Sequence, residues 1–119
     1  MKLHIAIEDG SITATLTDSS TSRDFVALLP LTLTLNDYAA TEKIGDLPKW
    51  LSTQGAPAGV TPAAGDLTYY APWGNLAIFH KGFRYSSGLI KLGSIDSGLE
   101  SLRRPGPVRA TIELIDDLP

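Results

Sequence analysis

Alternation with a period of two constrains this chain most. Leu3, Ile5 and Ile7 alternate with Lys2, His4 and Ala6, and after Asp9-Gly10 the run Ile12, Ala14 and Leu16 alternates with Thr13, Thr15 and Thr17. Two alternating runs around Asp-Gly predict a β-hairpin. Each strand would turn one face to a core and the other toward water. Leu31, Leu33 and Leu35 repeat the pattern against Thr32, Thr34 and Asn36, and Val108, Ala110, Ile112 and Leu114 repeat it again near the end.

Between these runs lie breaks and short helical signals. Thr21-Ser22-Arg23-Asp24 has capping-box spacing with aspartate in place of glutamate. Phe25, Leu28 and Leu29 then fall at i, i+3 and i+4 before Pro30, which predicts a short amphipathic helix leaning on the sheet. A second short helix is expected within 94–104, with Leu99 and Leu102 on one side. There Arg103 and Arg104 would complement the helix dipole. From Asp37 to Gly65 the pattern weakens into a long irregular stretch, expected to be pinned by Leu47, Trp50 and Leu51. Leu67–Tyr70 and Leu76–Phe79 read as two strands meeting at a Pro72–Asn75 turn. Many short strands and two brief helices predict a mainly β fold, a closed barrel with two short capping helices.

A chain of 119 residues predicts a single domain, 1–119, with one core. The net charge of −3 comes without a basic face, which argues against nucleic acid. The chain has no cysteine, so disulfides and thiol chemistry are excluded. MKLHIAIEDG lacks the apolar core of a secretory signal, and no apolar run is long enough to span a bilayer. A cytoplasmic protein without a membrane partner is the expectation.

Residues 65–85 hold six of the nine aromatics: Tyr69, Tyr70, Trp73, Phe79, Phe83 and Tyr85. Such rings build either a packed core or the wall of a mostly apolar pocket. Alternation sends Tyr69 and Tyr70 to opposite faces, assigns Phe79 mainly to barrel packing and leaves Trp73 in the turn as the foremost ligand contact. Asn75 belongs first to the turn. Glu42-Lys43 reads as a solvated surface pair. In the alternative reading, Glu42 and Tyr38 point into the barrel mouth, where burial would raise the carboxyl pKa. The candidate ligand-binding set is Tyr38, Glu42, Tyr69, Tyr70, Trp73, Asn75 and Tyr85. No zinc spacing, nucleophile elbow or phosphate-binding loop is present, so no metal, cofactor or catalytic residue is assigned.

Several segments carry a family resemblance. TSRDFVALLP resembles the first cyclophilin helix, in which a Phe packs inward after a polar cap. GLIKLGSIDSGLESL resembles a strand and Gly turn leading into a short helix, and VRATIELID the closing strand. GDLTYYAPWGNLAIFHK, TEKIGDLP and LSTQGAPAG are similar to the small bacterial and archaeal cyclophilin-like fold proteins, along nearly the whole chain. The resemblance implies a cyclophilin-like barrel and no established reaction. True cyclophilins isomerise X-Pro bonds with an arginine on the strand after the first helix. Leu31–Tyr38, the matching strand here, has no Arg, Lys or His. The first functional expectation is therefore a module binding a small molecule or short peptide near 69–85. The alternatives are a weak or vestigial prolyl isomerase, and a homodimeric or redox-partner interaction domain.

Overall fold

The first hairpin forms around Glu8-Asp9, one residue earlier than the Asp-Gly signal suggests. Strand β1 (Lys2–Ile7) pairs with β2 (Gly10–Leu16) so that Ile5 faces Ile12 and Leu3 faces Ala14. All four are fully buried. Matching these apolar faces sets the register, since a one-residue slip would turn every one of them to water.

The computed structural model describes residues 1–116. The remaining barrel strands are β3 (Leu31–Tyr38), β4 (Glu42–Asp46), β6 (Asp66–Tyr70), β7 (Asn75–Phe79), β9 (Leu89–Ser97) and β10 (Val108–Asp116). The eight strands close antiparallel in the order β1-β10-β3-β4-β7-β6-β9-β2. Outside the barrel, β5 (Gly59–Val60) and β8 (Ser86–Ser87) form a small second sheet. The stretch expected to be irregular thus contains β4 and β5.

One α-helix, α1 (Ser20–Val26), caps one end of the barrel with the buried ring of Phe25. Its N-cap is Ser19, whose hydroxyl accepts from the Ser22 backbone N–H at 3.0 Å. Thr21 and Asp24, the expected capping pair, are used elsewhere. Thr21 donates to the Ser52 carbonyl at 2.6 Å, and Asp24 accepts from the Ser52 N–H at 2.7 Å. The helix thereby holds the 47–56 loop, and Leu51 of that loop is buried.

At the opposite end the expected second helix is a single 3-10 turn, Leu99–Leu102, with Leu102 fully buried. Strand β9 continues to Ser97 instead, because β2 offers a ladder partner and matching hydroxyls: Thr13 and Ser97 share a hydrogen bond of 2.7 Å. Arg104 pairs with Asp9 across the surface at 2.9 Å rather than serving a helix terminus.

Lys43 is the unexpected core residue. It shares the inner face of β4 with Gly45, opposite Ile78 and Leu76, and its side chain is 0% exposed. Its ammonium meets Asp37 at 2.7 Å, the Arg104 carbonyl at 2.9 Å and the Gly106 carbonyl. Asp37 also accepts from the Gly106 N–H at 2.7 Å. The Lys43 hydrogen bond, followed by that of Gly106, holds the Asp37 carboxyl below the usual range. This cluster ties the chain before β10 to the barrel end. His80 lies beside it, its pKa lowered by burial and then by the charges of Lys43 and Arg103. Lys43→Met keeps the apolar stem but strands two carbonyls. It is expected to cost about 2 kcal/mol in urea unfolding, the cost of unsatisfied buried groups.

The link from β3 to β4 is strained. Ala39 and Ala40 have φ of 55° and 57°, and the Thr41 N–H closes onto the Tyr38 carbonyl at 3.2 Å. Two successive left-handed residues make a type I′ arrangement that favours Asn-Gly and disfavours alanine. Replacing Ala39-Ala40 with Asn-Gly should therefore raise stability by about 1 kcal/mol, read as a higher urea midpoint with unchanged slope.

Candidate functional site

The β4–β7–β6–β9 wall carries an apolar patch on its outer face in addition to its packed inner face. Register places Glu42 opposite Phe79, Ile44 opposite Ala77, and Tyr70 opposite both Asn75 and Leu89. All of these face away from the barrel core. Ala77, Phe79 and Leu89 form a second apolar cluster, against which Ile44, Val60, Tyr70 and Phe83 pack. Phe79 is thus the floor of an external site. The structure corrects the expected barrel packing of Phe79, which shares the outward parity of Asn75 and Ala77.

The β5–β8 sheet lies over part of this wall. It is fastened by the Gly88 N–H to the Ala58 carbonyl at 2.7 Å, and by the Ala71 N–H to the Gly88 carbonyl at 2.9 Å. Tyr85 packs across Gly59 on this arm, where any Cβ would stand 2.6 Å from the phenol oxygen. Beyond the arm the wall stays partly uncovered and forms a recess of about 190 Å³.

Five of the seven candidate residues line the recess: Tyr38, Glu42, Tyr70, Trp73 and Asn75. Tyr69 and Tyr85 do not. Tyr69 points into the core, where its phenol oxygen accepts from the Leu51 N–H at 3.1 Å, and Tyr85 stays with Gly59. Sequence reasoning did not single out Phe83, Arg84 or Ser86 for this wall. They sit in a connection without periodicity, and nothing local marks their direction.

Trp73 is positioned by the tight turn after β6, where the Gly74 N–H bonds the Tyr70 carbonyl at 2.9 Å. Gly74 has φ of +67° and lies under the Trp50 ring, so a side chain there would be strained and would collide. The indole of Trp73 meets Tyr38 edge-on at 5.4 Å and Tyr70 at 5.2 Å, yet remains 51% exposed. The three rings form a rim.

Glu42 and Asn75 supply the polar floor. Glu42 is 7% exposed, and among the described residues it has no ion-pair or hydrogen-bond partner. Burial raises its pKa to about 7. Its carboxyl lines the external recess, not the barrel mouth, and the solvated Glu42-Lys43 pair of the sequence reading does not form. The two neighbours occupy opposite faces of β4. Asn75 is 2% exposed, and its Oδ1 is buried without a hydrogen-bond partner. Arg84 lies over Phe83, its guanidinium carbon 4.7 Å from the ring centroid. Ser86 donates weakly to the Arg84 carbonyl at 3.5 Å and is not held against Glu42. The arrangement can therefore bind and exchange a proton, but it assembles no nucleophile with its base. Among the described residues no three His, Asp or Glu side chains gather as metal ligands, and no helix is long and apolar enough to cross a membrane.

Comparison with known proteins agrees with this architecture. The chain is similar to the solution structure of a hypothetical protein from Archaeoglobus fulgidus, with 22% identity and a TM-score of 0.67. The match covers 95% of this chain and 93% of the archaeal one. At that identity it shows a shared fold. No curated protein matches the chain. The model of the Cyclophilin-like family matches residues 5–113. By fold and by sequence, the chain belongs to the cyclophilin-like family.

Proposed function

We propose that this protein is a binding module whose outer-wall recess takes a small ligand or one side chain of a short peptide. One observation carries the reading. Glu42, a largely buried residue whose carboxyl has no ion-pair or hydrogen-bond partner among the described residues, and Asn75, whose buried Oδ1 is likewise unpartnered, line the same aromatic recess. Buried polar groups are normally satisfied, and an unsatisfied one costs about 1–3 kcal/mol. Such an acceptor and a carboxyl in one concave, aromatic-lined site have the make-up of a ligand pocket. The recess is smaller than a pocket for a drug-sized molecule, which suits a compact head group.

The unliganded protein bears a cost for keeping Glu42 there. A carboxyl with a raised folded-state pKa favours folding while protonated, and that contribution is lost as pH rises from its unfolded value of 4.5 to about 7. Glu42→Gln should therefore match the parent near pH 4.5 and become progressively more stable than it toward pH 7. Above that the gain should hold level at about 1–2 kcal/mol, after allowing for water reaching the carboxyl from the recess. Thermal melts across this pH range read the difference. A constant offset would mean that Glu42 is not desolvated.

The prolyl isomerase reading has Arg84 in its favour, since it brings a guanidinium to the recess from another segment. That guanidinium lies on Phe83, and β3 has no arginine of its own. A proline-peptide isomerisation assay is expected to run at the uncatalysed rate. A metabolite-library thermal shift tests the binding reading directly, because ligands of the folded state raise its melting temperature. Trp73→Ala should stay folded, melt only a few degrees lower, and lose at least about tenfold in affinity for any hit. An undiminished shift in that variant would remove the recess as the site.

A further inference from the structure

We propose that the head group bound in this recess is a cation rich in N–H donors, an ammonium or guanidinium on a short apolar stem. The inference rests on the reading above that the recess binds a ligand, and it names the ligand's chemistry. Both unpartnered floor groups point that way. Ionised Glu42 only accepts hydrogen bonds, and so does the Oδ1 of Asn75. An ammonium brings three donors and a guanidinium five, with no acceptor to oppose either floor group. A hydroxyl brings one.

The rim supplies the second argument. Tyr38, Tyr70 and Trp73 gather around the opening, and Phe79 and Phe83 line the wall. Aromatic faces attract cations, most strongly where water is excluded. The protein already uses one of these faces, with Arg84 over Phe83. Arg84 is the recess's one cationic side chain, and it makes no ion pair with Glu42 among the described residues.

The groups facing Glu42 define its pH response. β3 presents the phenol of Tyr38, β6 that of Tyr70, β7 the neutral Asn75 and Phe79, and the arm before β8 presents Arg84. Lys43 and Asp37 lie on the other side of β4, bonded to each other. Among the described recess residues Glu42 is therefore the group titrating near neutrality, and a cation should bind its ionised form.

Amide chemical-shift titrations of the full chain test this, using n-butylammonium, n-butylguanidinium, butyramide and butyrate, and following Glu42, Trp73, Asn75 and Phe79. The two cations should bind at least about tenfold more tightly than the neutral and anionic probes. Their affinity should rise about tenfold from pH 6 to pH 8, following ionisation of a carboxyl with a pKa of about 7. Glu42→Gln should abolish that rise, while Arg84→Gln should leave or tighten cation binding. A blocked Gly-Lys-Gly peptide, titrated beside butylammonium, separates a side-chain ligand from a free amine, since only the former tolerates the flanking backbone. Tighter binding of butyrate, weakening with pH and lost in Arg84→Gln, would overturn the cation assignment and leave a binding site for anions. If no probe shifts these amides and the ligand library also gives no hit, the binding reading itself falls.

Discussion

Closure of the sheet is the constraint on which everything else depends. In a closed barrel each strand residue faces either the packed interior or the outside, and the assignment alternates without exception unless a bulge intervenes. On the β1, β2, β3 and β10 side the outer face meets water. On the β4–β7–β6–β9 side the outer face carries an apolar cluster of its own, Ala77, Phe79 and Leu89, and all five residues of β7 are buried. Such a wall needs a second cover. The β5–β8 arm provides it, but its two short strands cannot span the whole width. The recess is the uncovered remainder, and its contents follow from the parity of the strands that form it.

The readable parts of the chain were those with one face in water. Leu3, Ile5, Ile12, Ala14, Leu33 and Leu35 declared their strands because threonines, lysine and asparagine alternate with them. β4 was hidden for the opposite reason. In EKIGD the inward position carries a lysine, whose burial is made tolerable by carbonyls 61 and 63 residues away in sequence. No local pattern announces a partner at that distance. The second helix failed similarly. Ile95 and Ser97 match β2 better than they match a helix turn, and that pairing is non-local.

The site was legible to the extent that parity and turn chemistry reached it. Adjacent Tyr69 and Tyr70 had to face opposite ways, and they do: one phenol is fixed in the core by Leu51, the other lines the recess. Phe79 was expected in barrel packing, but it shares the parity of Asn75 rather than of Leu76 and lines the recess. Tyr85, Phe83 and Arg84 lie in a connection where no period exists to read. Their directions are decided by the arm's contacts with Gly59 and Pro62, across more than twenty residues of chain.

Glu42 and Lys43 show how burial alone fails to separate structure from function. Both are charged, both are buried, and they are neighbours on one strand. Lys43 has its carboxylate and two carbonyls, so its inward position is explained entirely within the protein. Glu42 has nothing comparable, although the same strand could have placed an apolar residue there at no desolvation cost. The strained Ala39-Ala40 link adds to the asymmetry, since it joins the two strand ends that bring Tyr38 and Glu42 side by side. Unrecovered desolvation and backbone strain thus fall at one edge of the barrel, beside the aromatic rim. A sequence that keeps both there, while satisfying the equally improbable lysine next door, is spending stability on the outer face alone.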